Sequence, residues 1–176
     1  LPLFFLPFSA IPLQAGKQIL AGILVQASSV IDGVDGELAR YYGIASSFGA
    51  FFDAILDRLA DIAIVLGFSI CFLSQAEPSV WHISLCMLAL SGTLMVSYLH
   101  ARTEQNLGRH AKFIGKIICL ASRDVRLFVV FVGSILGAFF ETLLVLAVLT
   151  NAYVVAKFVE ISIICSRKPR PTAEVS

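Results

Sequence analysis

The chain is a succession of apolar runs, several close to twenty residues long, separated by short polar stretches. A run of ~20 apolar residues crosses the ~30 Å hydrocarbon layer as a helix. In lipid, only helices and closed barrels satisfy every backbone polar group. Gln18 to Val34, Phe48 to Leu73, Val80 to Leu99 and Leu143 to Ile164 suit such spans. Leu127 to Phe140 is short unless its helix starts near Asp124. Leu1 to Pro12 carries three prolines and is expected to be the end of an earlier span plus a turn, the rest of that span preceding Leu1. These runs predict an all-α, polytopic transmembrane helix bundle over residues 1–166 and a polar tail over residues 167–176. Hydrophobic residues make up 58% and charged residues 14%, against about 45–50% and 25% in soluble domains. The excess must face something apolar, and the lipid bilayer is the simplest partner. A net charge of +1 gives no reason to expect nucleic acid.

The distribution of basic residues sets an orientation. If the spans alternate, one side receives Arg40, Arg58, Arg102, Arg109, Lys112, Lys116, Arg123, Arg126, Arg167, Lys168 and Arg170, and the other receives only Lys17. Eleven against one predicts that the basic side is cytoplasmic. Trp81 and His82 suit the opposite interface. Lys157 lies inside the last span, three residues before Glu160, a spacing at which the two can pair on one helix face. The stretch Arg109 to Leu120 mixes Lys112 and Lys116 with Phe113, Ile114, Ile117 and Ile118. It reads as an amphipathic helix on the membrane surface, and equally as a basic rim for an anionic substrate.

Against this apolar background stands an acidic window. Asp32 and Asp35 are three apart, Asp53 and Asp57 four apart, and Asp61 adds a further turn. On helices these spacings place each pair on one face. Five aspartates at ~3 kcal/mol each would cost on the order of 15 kcal/mol at the bilayer centre. Arg40 and Arg58 offset part of that charge, and a divalent cation would offset the rest. Oxygen ligands without Cys or His favour Mg²⁺, Mn²⁺ or Ca²⁺. Intramembrane acids also build cation or proton pathways, so a transporter is the competing class. Gly36, Gly49 and Arg40 favour a diphosphate site instead: glycine lets a ligand approach the backbone, and arginine grips phosphate in bidentate fashion. Cys71, Cys86, Cys119 and Cys165 lack metal-site spacing and read as buried small hydrophobes; His82, His100 and His110 read as interface or loop residues.

The window reads D-x-x-D-G-x-x-A-R-x8-G-x3-D-x3-D, filled by Asp32, Asp35, Gly36, Ala39, Arg40, Gly49, Asp53 and Asp57. In this it resembles the CDP-alcohol phosphotransferase family. The resemblance implies six transmembrane helices, the first mostly missing here, and a homodimer. It implies transfer of a substituted phosphate from a CDP-alcohol to an acceptor alcohol, with release of CMP. Asp32, Asp35, Asp53 and Asp57 would hold one or two Mg²⁺ or Mn²⁺ ions, and Asp57 would also be the general base. Gly36, Ala39, Arg40 and Gly49 would bind the CDP-alcohol. Asp61 and Arg58 lie outside the pattern and read as supporting partners.

The runs D-G-V-D-G-E-L-A-R, S-S-F-G, L-D-R and S-R-D-V-R-L-F look like the members that join two inositols, from CDP-inositol and inositol 1-phosphate. Many such members carry an N-terminally fused cytidylyltransferase. The alternative is phospholipid synthesis from CDP-diacylglycerol with inositol phosphate or glycerol phosphate. Either choice needs cations for the acceptor's phosphate: Lys116, Arg123 and Arg126 first, then Lys112 and Arg102. The site is expected at the cytoplasmic side of the membrane.

Overall fold

A computed structural model describes residues 22–23, 27, 41, 46–75, 77–108, 111, 114–117 and 120–167. Four helices hold most of the described residues: α1 (Ser47–Gln75), α2 (Val80–Leu107), α3 (Arg123–Leu136) and α4 (Phe139–Arg167). No strand occurs among the described residues. The protein is thus all-α, as its apolar runs predict.

Local chemistry sets the helix ends. Ser46 accepts a hydrogen bond from the Gly49 amide at 3.0 Å, just before α1. Ser79 caps α2 through the His82 amide, and Ser122 caps α3 through the Val125 amide. Each relieves an orphan donor of a first turn. Asp124 adds an acid to the first turn of α3, where the helix dipole favours it. Gly108 and Gly137, both at φ 64°, end α2 and α3 in the left-handed conformation that glycine adopts without penalty. Gly137 explains one correction. The run Leu127 to Phe140 divides there, so α3 starts at Arg123 and Phe139 and Phe140 open α4.

Helix packing follows two regular stripes. On α1 the positions Asp61, Val65, Phe68 and Phe72 are buried. On α4 the positions Phe139, Leu143, Leu146, Thr150, Tyr153 and Lys157 are buried. The alternating steps of three and four residues keep each set on one helix face. Phe68 and Phe139 meet edge-on at 5.4 Å between ring centres. With Val65, Cys71, Phe72, Cys86, Ala89 and Val130 they form the main core. Val96, Ala121 and Tyr153 form a second cluster. Cys71 and Cys86 are buried as expected, whereas Cys165 is exposed near the end of α4.

Close helix contact depends on glycine. Gly92 of α2 faces Thr150 and Asn151 of α4, and a β-carbon at Gly92 would overlap both side chains. Asn151 also donates to the Leu88 carbonyl across the same interface at 3.0 Å. Small residues that admit close backbone approach are the usual means of association in lipid, where apolar burial drives nothing. Gly92→Leu is expected to destabilise the fold by about 1–3 kcal/mol through overpacking. A lowered midpoint of thermal unfolding in detergent checks this, and an unchanged midpoint refutes it.

Val80–Leu107 and Phe139–Ser166 are long and apolar enough to cross a membrane. Only 28% and 39% of their most apolar windows are buried, whereas a core helix of a soluble domain is mostly buried. Met87, Val148, Val155 and Phe158 are each more than 60% exposed along these helices. Trp81 is 84% exposed at the start of α2, as an interfacial anchor would be. α1 has 29 residues but carries Asp53, Asp57, Arg58 and Asp61 in its first half. α3, at 14 residues, is about 21 Å long at 1.5 Å per residue.

The connection from α2 to α3 corrects another expectation. Among the described residues between Arg109 and Leu120 there is no α-helix. Gly115 has φ 79°, which breaks a helical path, and the backbone there turns to side chains of α4.

Candidate active site

The stripe that buries Val65, Phe68 and Phe72 on α1 also aims the carboxylates. One turn before Val65 it carries Asp61, 4% exposed. One turn earlier it carries Asp57, whose side chain is 19% exposed. A further turn back, Asp53 is exposed. The helix therefore presents three acids in line, from its exposed first turns to its buried stripe. Gly49 lies one more turn back, exposed near the start of the helix.

The start of α3 answers this line with arginines. Arg123 and Arg126 are three residues apart, so both side chains project from one face. Arg123 places a guanidinium nitrogen 2.8 Å from Asp57 and another 3.7 Å from Asp61. Arg126 lies 3.1 Å from Asp61 and donates to the Thr93 carbonyl of α2 at 2.7 Å. Arg58 approaches Asp61 at 3.6 Å and Asp57 at 3.8 Å. Three guanidinium groups thus surround two carboxylates. Asp61, Arg126 and Thr93 close the polar end of a narrow crevice walled by Ile64, Val65, Leu127, Val130 and Leu146. Asp61 and Arg126 are each 4% exposed, so the pair is weakly screened.

The expected residues fall into three groups. Asp57, Arg123 and Arg126 come together, and Asp53 sits one turn from Asp57 on the same face. Lys116 is exposed on the connection between α2 and α3, and Arg102 is exposed near the end of α2. Arg102 donates to Gln105 at 2.6 Å and lies 5.8 Å from the Tyr98 ring centre. Asp32, Asp35, Gly36, Ala39, Arg40 and Lys112 lie outside the described residues. Arg126 is placed differently from an open ligand contact: it is 4% exposed and engaged by Asp61 and Thr93.

Asp61 is more than the supporting partner that its position outside the pattern suggests. It is the buried centre on which all three arginines converge. A clue was present in the sequence. Asp57 and Asp61, four apart, complement Arg123 and Arg126, three apart, on two separate apolar runs. The Thr93 carbonyl had no such clue, because any residue supplies a carbonyl.

Asp53 and Asp57 fit a divalent ion in donor chemistry, being hard carboxylates one turn apart. They are half of the four-aspartate set. Among the described residues no three His, Cys, Asp or Glu side chains gather as a metal centre.

Residues 1–155 match the family described as CDP-alcohol phosphatidyltransferase. The chain is 43% identical over 141 residues to a protein of Rubrobacter xylanophilus named bifunctional IPC transferase and DIPP synthase. That match covers 80% of this chain and 30% of the relative. A protein of the same name from Aquifex aeolicus is 35% identical, with 77% of this chain and 31% of the relative covered. An archaetidylinositol phosphate synthase of Pyrococcus horikoshii is 36% identical, with 69% and 58% covered. The chain spans about a third of the first two relatives and under two thirds of the third. The eight pattern residues from Asp32 to Asp57 all fall within the family match. With that match running over most of its length, the chain is a membrane protein that belongs to the CDP-alcohol phosphatidyltransferase family.

Proposed function

We propose that the protein transfers a substituted phosphate from CDP-inositol to inositol 1-phosphate, releasing CMP and forming a phosphorylated di-inositol phosphodiester. The observation that carries this reading is the complete acidic pattern, joined to a start of α3 that brings arginines onto Asp57 and Asp61. The relatives named DIPP synthase support the inositol substrates.

In the proposed reaction, Asp57 takes the proton of the acceptor hydroxyl. The freed oxygen attacks the phosphorus that bears the donor's alcohol. The bond from that phosphorus to the CMP oxygen breaks, and the electron pair leaves with CMP. Arg123 holds Asp57 through the 2.8 Å ion pair, which orients the carboxylate. Gly36, Ala39, Arg40 and Gly49 bind the CDP-alcohol. Lys116 and Arg123 meet the acceptor's phosphate, with Lys112 and Arg102 as further cations for it. Arg126 contributes to that site by holding Asp61, against which Arg123 also rests.

The family generally depends on a divalent metal. Mg²⁺ or Mn²⁺, as one or two ions, would be held by Asp32, Asp35, Asp53 and Asp57. It would stabilise charge on the diphosphate.

The site faces the cytoplasm in this proposal, on the strength of the basic-residue asymmetry. A homodimer and an N-terminally fused cytidylyltransferase complete it; the word bifunctional in the relatives' names supports the second.

A second reading has specific support. Relatives named archaetidylinositol phosphate synthase and phosphatidylinositol phosphate synthase point to a lipid donor, CDP-diacylglycerol or its like, with the same acceptor class. The family match favours either transferase over an ion pathway. One screen separates them. CDP-inositol and CDP-diacylglycerol are each offered with inositol 1-phosphate, inositol and glycerol phosphate, and CMP is followed. CMP release with CDP-inositol and inositol 1-phosphate is expected. Release with CDP-diacylglycerol alone would select the lipid reading. Ion flux in vesicles with no CMP from any pair would sink both.

A further inference from the structure

The connection between α2 and α3 is gripped by two charged residues near the end of α4. Lys157 is fully buried, on the stripe that begins at Phe139. Its ammonium has three hydrogens and three acceptors: the Ile114 carbonyl, the Ile117 carbonyl at 3.3 Å, and Glu160 Oε2 at 2.8 Å. The other Glu160 oxygen accepts from the Lys116 amide and from the Ile117 amide at 3.1 Å. Two side chains thereby hold both the carbonyls and the amides of one short loop.

Gly115 sits at the centre of this grip. Its φ of 79° suits glycine, and a β-carbon there would overlap the Glu160 carboxylate. The loop and the acid therefore fit each other closely.

Packing alone does not call for a lysine in this place. It lies within a helix of membrane-spanning length and apolarity. A hydrophobic residue would continue the buried stripe without desolvating a charge. What the charge supplies is a fixed loop backbone. That loop carries Lys116, exposed to solvent, and leads within seven residues to Arg123 at Asp57.

We propose that Lys157 and Glu160 are positioning residues for acceptor specificity: by fixing the backbone from Ile114 to Ile117 they aim Lys116, and through it the entry to Arg123, at the acceptor's phosphate. This rests on the transferase reading above. Neither side chain needs to touch substrate.

The test uses the intact protein and CMP release, with inositol 1-phosphate as acceptor and the donor that the screen selects. Lys157→Gln is expected to raise KM for inositol 1-phosphate about tenfold, the equivalent of one lost charge-assisted contact, with donor KM changed less than about twofold. Lys157→Arg should restore most of the loss. Adding Lys116→Ala to Lys157→Gln should cost much less than Lys116→Ala alone, because both act through one contact. Equal rises in both KM values, a fall in kcat alone, or additive effects in the double variant would each overturn the positioning role. If Lys157→Gln does not fold, Glu160→Gln replaces it in the same comparison. Failure of the wild-type protein to release CMP from any pair would count against the transferase reading itself. Normal wild-type release with unselective variants would count only against this inference.

Discussion

Asp57→Asn is expected to lower CMP release by about a thousandfold, the middle of the range for loss of a general base, while metal-dependent binding of CDP persists. Asn keeps the size of the side chain and can still accept from Arg123, which lies 2.8 Å from Asp57. It cannot take a proton from the acceptor hydroxyl at working pH. Single-turnover CMP release, set beside binding of CDP in the presence of Mg²⁺, separates the two roles. Asp53→Asn is the useful contrast. It lies one turn away on the exposed end of the same face and is proposed to hold metal only. Its loss should weaken CDP binding and turnover together. Near-normal CMP release by Asp57→Asn would remove the general-base assignment.

The second large effect concerns stability. Arg126→Ala removes the nearest cation from Asp61, which is 4% exposed, and the donor from the Thr93 carbonyl. Breaking a buried ion pair from one side typically costs about 3–5 kcal/mol. Arg58 and Arg123 remain within 4 Å of Asp61, so the lower end, about 3 kcal/mol, is expected. The paired change Asp61→Leu with Arg126→Met should recover most of it, because well-packed apolar residues replace buried ion pairs at little cost. Thermal unfolding in detergent reads both variants. A melt unchanged by Arg126→Ala, with only acceptor binding affected, would show that Arg126 works as an open phosphate contact instead.

Much of this molecule was legible from spacing alone. The apolar runs predicted α1, α2 and α4 to within a few residues at their starts. The limits of α2 and α3 depended on local signals: serine before the helix, glycine after it. The apolar run Leu127 to Phe140 crosses a helix boundary because hydropathy continues through Gly137, whose left-handed turn ends α3. The expected surface helix failed for a different reason. Its sequence is amphipathic, but the groups that claim its backbone, Lys157 and Glu160, lie about forty residues away.

The candidate site divides along the same line. The pattern from Asp32 to Asp57 identified the family, because eight particular residue types at fixed spacings are a specific signature. Helical periodicity alone placed Asp53, Asp57 and Asp61 on one face. Pairing across helices was not readable in that way. Arg126 could have met a ligand or a carboxylate, since either satisfies a guanidinium, and only the approach of α3 to α1 gave it to Asp61. Three-residue spacing pairs Lys157 with Glu160 on one helix face, but their hold on Ile114 to Ile117 needs the loop folded against α4. Residue type and period are local, and so the acidic line was determined by the sequence by itself. Which cation meets which acid, and which loop meets which lysine, depends on distances between segments far apart in the chain, and the tertiary structure alone decided those.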